Sequence, residues 1–165
     1  MADNWSGIVL ISQMIRDFTR GDREHTLQII AFGKEEPGMI GSDAFLHQDG
    51  GKNVIAFVNL DTLGIGNLRA DARSDPELLC LASAISRRLD VTMAVKYLAP
   101  ITGDWKPFHD ADIAFINFHS LDRTTLRLLH SPRDRLEMLD DERLAGAWRI
   151  SAALVMNLGG ITLRK

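Results

Sequence analysis

Cysteine is nearly absent: Cys80 is the only one in 165 residues. That excludes an intrachain disulfide and any zinc site built on thiolates. Cys80 falls in a predicted helix, where a buried and inert thiol is expected. Long apolar runs are lacking too, and none approaches the ~20 residues that a membrane span needs. No basic and apolar leader opens the chain. This favours the cytoplasm for the chain as given, and leaves secretion open because the sequence reads as starting inside a fold. An excess of one charge is missing. The net charge of −3 gives no electrostatic case for nucleic acid or an anionic membrane. Gly64 and Gly66 are followed by no Lys-Ser/Thr, and no dinucleotide fingerprint occurs. Repeats, low-complexity tracts and linkers are absent, so residues 1–165 read as one domain.

What is present is a globular chain. Apolar residues make up 45% and charged residues 25%, which is enough for a core of one domain. Ile8, Ile11, Met14, Ile15 and Phe18 recur at helical spacing and predict a helix over 8–20, capped by Asn4 or Ser6. Asp3, just before it, is by itself a common capping acid. Residues 27–32 alternate as a strand does. They run into Gly33, Lys34 and two adjacent acids, Glu35 and Glu36, with Pro37 and Gly38 barring further strand. Acids just past a buried strand lie at the sheet edge where open α/β folds place ligands. Neighbouring residues there point different ways. One carboxylate can then hold a metal while the other reaches an activated water. A solvated turn is the plainer reading of the same pair.

Ser42 is placed to cap a short helix over 43–48. Residues 53–60 (NVIAFVNL) form a near-continuous apolar run, expected of a strand covered on both faces. The run ends in Asp61, before a glycine-containing loop. An edge strand is expected within 67–73. Ser74 and Glu77 have capping-box spacing ahead of a helix over 76–88, with Pro76 in its first turn. Strands are expected over 91–98 and 113–118. A loop holding Asp104 and Trp105 separates them. Residues 121–138 have weak periodicity, and Pro132 holds His130 near a turn. A last helix runs from Asp140 or Asp141 to about Asn157, stopped by Gly159 and Gly160. This order predicts a three-layer α/β/α fold with a mostly parallel sheet. A helix with no strand before it suggests that the sheet's N-terminal strands are missing.

Asp3, Glu35, Glu36, Asp61 and His130 all fall at element ends. Carboxylates with a histidine suit zinc with an open position for water. Their order resembles the co-catalytic zinc aminopeptidases of the leucyl aminopeptidase and aminopeptidase Y type, whose relatives include glutamate carboxypeptidase and glutaminyl cyclase. ADNWSG (2–7) is similar to the family's Asp-Asn-Ala-Ser-Gly block. AFGKEEPGMIGS (31–42) is similar to its Phe-x-x-Glu-Glu-x-Gly-x-x-Gly-Ser block. VNLDTLG (58–64) and HSPRDRLEMLD (130–140) are similar to its Asn-Leu-Asp-Met-x-Gly and His-Thr-x-x-Asp blocks.

The resemblance implies roles at these positions. Asp3 would bridge two zinc ions, Glu36 and His130 would complete one site, and Asp61 would serve the other. Glu35 would be the general base, and Asp134 would support the site from behind. The family's earlier His-x-Asp block is not found here, so the second zinc has two ligands. His119, at a strand end, is a candidate replacement. Trp105 stands where the family has a histidine. The resemblance thus implies N-terminal peptide-bond hydrolysis with one or two zincs and a peptide or aminoacyl substrate. A one-zinc acyl transfer like that of glutaminyl cyclase is the second reading. An inactive relative that binds partners is the third. An exposed sheet edge would favour self-association.

Overall fold

The computed structural model describes residues 2–18, 25–97 and 101–159. Four strands form one sheet: β1 (Phe57–Leu60), β2 (Arg69–Asp71), β3 (Ala94–Lys96) and β4 (Phe115–His119), in the order β1-β4-β2-β3. β1 pairs parallel with β4, with Phe57 opposite Phe115 and Leu60 opposite Phe118. β2 pairs parallel with β3 and antiparallel with β4, where Arg69 faces His119. The sheet is therefore mostly parallel, as the sequence predicts. β4 is buried at every position because it lies between β1 and β2.

The alternation of β1 and β4 sends side chains to two layers. Leu60, Ile116 and Phe118 join α1 (Gly7–Phe18), α3 (Pro76–Leu89) and α5 (Asp141–Leu158) in the main core. Leu10, Met14 and Phe18 bury one stripe of α1, while Ile15 stays exposed. Phe57 and Phe115 point to the other face. There α4 (Trp105–Asp110) stacks Phe108 on Phe57 at 3.8 Å and Trp105 on Phe115 at 5.1 Å. α2 (Ile40–Phe45) adds Phe45 to that aromatic group. Three layers result.

Several local expectations change. Residues 27–32 take part in no ladder among the described residues, because β1 pairs only with β4 and offers its other edge across a cleft. For the same reason the strand expected over 53–60 shrinks to Phe57–Leu60. The strand within 67–73 is interior, between β4 and β3, and not an edge. The loop before β4 contains α4. The cap of α3 is Asp75, which accepts from the N–H groups of Glu77 and Leu78, while the Ser74 hydroxyl accepts from Asn117 N–H. Cys80 is exposed, since Leu78, Ala82 and Ile85 define the buried stripe of α3 and Cys80 lies off it. The expected ends of the first helix at Arg20, of the third strand at Leu98, and the stop at Gly160 lie outside the described residues.

Candidate metal centre

The turn after residue 33 is wound tightly. Gly38 and Met39 N–H donate to Glu35 C=O, Ile40 N–H to Lys34 C=O, and Gly41 N–H to Gly33 C=O at 3.1 Å. Lys34, Gly38 and Met39 hold left-handed backbone angles. A Cβ on Gly41 would stand 2.4 Å from the Gly33 carbonyl oxygen, so only glycine lets the two backbones approach. This winding turns Glu35 inward and leaves Glu36 exposed.

At the other side, Ala2–Ser6 make a kinked turn into α1. Asn4 Oδ1 accepts from Gly7 N–H at 3.0 Å, and Asn4 Nδ2 donates to Leu60 C=O at 3.0 Å. Ser6 Oγ accepts from Leu63 N–H. Asn4 is therefore the cap, and Ser6 ties the turn to the loop after β1. Asp3 is not the cap. The Asp134 carboxylate accepts from Ala2 N–H at 2.7 Å and from Asp3 N–H at 3.3 Å, so it orients Asp3 through the backbone.

His130 meets both segments. Its Nε2 lies 3.0 Å from Asp3 Oδ2 and 2.6 Å from Glu36 Oε1. Burial alone would lower its pKa, but the Glu36 and Asp3 carboxylates outweigh that and raise it. One ligand atom from each of Asp3, Glu36 and His130 lies within 4.8 Å of the others. Around tetrahedral zinc, bonds of ~2.0–2.2 Å space ligand atoms by roughly 3.3–3.6 Å. The two Nε2–oxygen separations fall below that by under an ångström, so small side-chain movements open room for an ion. Two carboxylates and an imidazole also suit zinc chemically.

Beside this trio stand three more acids. Glu35 is half-buried, and its pKa is pushed up to about 7 by burial first, then by Asp61, Glu36, Asp104 and Asp3. Burial likewise raises Asp61 to about 6, against a Thr62 hydroxyl that donates to it at 2.9 Å. Asp61 lies near enough to feel the Asp3 charge but is no part of the three-ligand cluster. Asp104 was not anticipated at the site. It accepts from Ser42 Oγ at 2.6 Å, and the neighbouring Gly103 packs where a Cβ would be 3.3 Å from Glu35 Oε1. Its sequence signal is the stretch Gly103–Phe108, which is similar to the family's Ser-Asp-His-x-x-Phe block with Trp105 in place of histidine.

His119 does not replace the missing ligand. It is 3% exposed, and its Nδ1 accepts from Leu121 N–H. Its strand position faces Arg69, and it belongs to no metal-ligand cluster among the described residues. Trp105 is packed under Arg73, whose guanidinium lies 4.5 Å from the ring centre.

Comparison with known proteins bears on the family and the fold. Residues 1–155 match peptidase family M28. A vacuolar membrane protease of Vanderwaltozyma polyspora is 33% identical over 66 residues, which cover 40% of this chain and 7% of that protein. BSAP, a zinc aminopeptidase from Bacillus subtilis, superposes with a TM-score of 0.84 at 24% identity, covering 95% of this chain and 42% of that one. The Legionella pneumophila LapA aminopeptidase gives 0.85 at 19% identity, covering 96% of this chain and 47% of that one. An Acidobacteriales bacterium glutaminyl cyclase gives 0.73 at 18% identity, covering 98% and 62%. The chain thus spans less than half the length of these aminopeptidases.

Proposed function

The chain belongs to peptidase family M28, and from that premise we propose that it carries the catalytic centre of a zinc-dependent aminopeptidase. The observation that supports this most is the convergence of Asp3, Glu36 and His130, 127 residues apart at the extremes, on one point. These three would hold one zinc ion. When bound, zinc polarises a carbonyl and acidifies water.

The remaining steps fall to the chain's own side chains. Glu35, beside that point and partly shielded from solvent, takes the proton of the attacking water. It then passes that proton to the leaving amine as the peptide C–N bond breaks. Asp61 and Asp104 keep the surroundings negative, which suits the α-ammonium group of a peptide or aminoacyl amide. Asp134 keeps Asp3 in place through its two backbone bonds.

A second reading is one-zinc acyl transfer of the glutaminyl cyclase kind. It is favoured by one observation: the described ligand cluster holds three side chains, enough for a single ion. Metal content and substrate choice separate the two. The purified chain would be loaded with zinc, its metal counted by mass spectrometry, and its action compared on leucine p-nitroanilide and an N-terminal glutaminyl peptide. Zinc that is lost on His130→Ala, with release of nitroaniline, is the expected result. Zinc retained in full by His130→Ala would sink the assignment of the site. Cyclisation of the glutaminyl peptide without amide hydrolysis would favour the second reading.

A further inference from the structure

Asp71 ends β2 and is 2% exposed. Arg73, two residues on, folds back over it. Its Nε donates to Asp71 Oδ1 at 2.9 Å, and a terminal nitrogen donates to Oδ2. Burial alone would raise the Asp71 pKa, but the bonds from Arg73 outweigh that and lower it, so the pair is ionic. A buried ion pair is a poor source of stability, because desolvation offsets most of the attraction. What this pair does fix is a direction. The guanidinium is turned toward residues 101–105.

Arg73 grips that segment at both ends. The nitrogen bonded to Oδ2 also donates to Ile101 C=O at 2.8 Å. The guanidinium carbon lies 4.5 Å from the ring centre of Trp105 and 5.0 Å from that of Tyr97. Between the two anchors stand Gly103 and Asp104, and both meet the glutamate turn. Gly103 is buried, and a Cβ there would be 3.3 Å from Glu35 Oε1. Asp104 accepts from Ser42 Oγ at 2.6 Å, and its charge is felt at Glu35. Residues 101–104 belong to no helix or strand, so side-chain anchors of this kind set their course.

We propose that Arg73 is a positioning residue: pinned by Asp71, it holds residues 101–105 so that Gly103 and Asp104 stay against Glu35. This rests on the reading of Glu35 as general base of an aminopeptidase. Such a base must keep hydrogen-bond reach of its water. A misplacement of about 1 Å, caused far from the chemistry, costs up to ~10²-fold in rate. Arginine suits the task and lysine does not. The planar fork meets a carboxylate while still donating to Ile101 and stacking on a ring, whereas an ammonium is a point charge.

The test compares the parent, Arg73→Lys, Asp104→Ala and the double variant, each loaded with zinc. Lysine keeps a cation beside Asp71, and the change touches none of Asp3, Glu36 and His130, so zinc content should stay the same. On leucine p-nitroanilide, kcat of Arg73→Lys should fall about 10- to 100-fold with KM within about twofold, as when a transition-state arrangement is lost. In the Asp104→Ala background the same change should cost less than about twofold, because the group it places is gone. The Lys106 amide donates to Gly103 C=O at 2.8 Å. Its hydrogen exchange should quicken at least about tenfold in Arg73→Lys, while amides of α5 keep their rates. The neutral pair Asp71→Asn/Arg73→Gln leaves no buried charge and should lose kcat similarly, and it carries the test if Arg73→Lys is unstable. Parental kcat in an Arg73 variant overturns the proposal. So do additive losses in the double variant, and exchange that quickens throughout the chain, which makes the pair merely structural. A parent that cleaves no amide is a different failure, of the aminopeptidase reading. Unchanged exchange at Lys106 overturns the positioning role with or without activity.

Discussion

Glu35 and Glu36 are neighbours with opposite surroundings. Glu36 is exposed and touches His130, whereas Glu35 is half-buried among acids. Their amides should therefore fail differently. Glu35→Gln is expected to keep zinc stoichiometry and to cut turnover by roughly 10²–10⁴, the usual worth of a positioned acid–base group. Glu36→Gln is expected to weaken zinc binding first. Calorimetric zinc titration beside steady-state rates checks both, and a Glu35→Gln chain at parental speed would contradict the roles. His119 offers a test away from the site. Burial lowers its pKa from 6.5 to about 4. Between those values the unfolded chain binds the extra proton, so acidification favours unfolding. The contribution is whole above pH 6.5 and is lost as pH falls to about 4, at most about 3 kcal/mol. Urea midpoints at pH 7 and 4.5 should converge more for His119→Asn than for the parent. The difference between the two proteins removes the opposing effect of Glu35 and Asp61.

The winding between Gly33 and Gly41 is the element that sets the two glutamates apart. Gly41→Ala would push a Cβ into a backbone oxygen, which cannot rotate away. A loss of about 1–3 kcal/mol is expected, in the range of overpacked sites, together with weaker zinc binding. Gly33→Ala meets nothing within 4 Å and should stay within about 0.5 kcal/mol of the parent. Chemical denaturation of the two variants makes the comparison. Elements of this kind also show what the sequence conveys. Helices α1, α3 and α5 were legible because a 3.6-residue repeat is local information. The Glu35–Glu36 pair and His130 were legible through their blocks, not through spacing alone. α4 was hidden by its six residues and by Pro107 inside it. Residues 27–32 alternate like a strand, but a ladder depends on a neighbour that no local pattern reveals. The sequence assigns Asp104 no role at the site for a similar reason, since only tertiary packing brings it to Ser42.

At the scale of the whole molecule, acids from four distant stretches crowd together: Asp3, Glu35 with Glu36, Asp61 and Asp104. Glu35 and Asp61 both stand above their ordinary pKa because of burial first and this crowding second. A bound cation relieves such repulsion and binds only the folded form. Zinc at a hundredfold over its dissociation constant should add about 2.7 kcal/mol. For a chain of 165 residues that corresponds to a rise in melting temperature of about 5–10 °C. Thermal scans with zinc and with a chelator check it. His130→Ala should abolish most of the rise, and an unchanged rise would place the ion elsewhere.

The spacing of the trio also sets a timetable. His130 follows Glu36 by 94 positions. At a synthesis rate of about 5–20 residues per second, roughly 5–20 s pass on the ribosome between the appearance of the two. Until then the two proposed carboxylate ligands lack both the imidazole and Asp134, whose two backbone bonds hold Asp3 in place. Of the ligands, the imidazole that favours zinc arrives last. On the proposed reading, the zinc site is therefore a property of the finished chain, complete only once residue 134 has emerged.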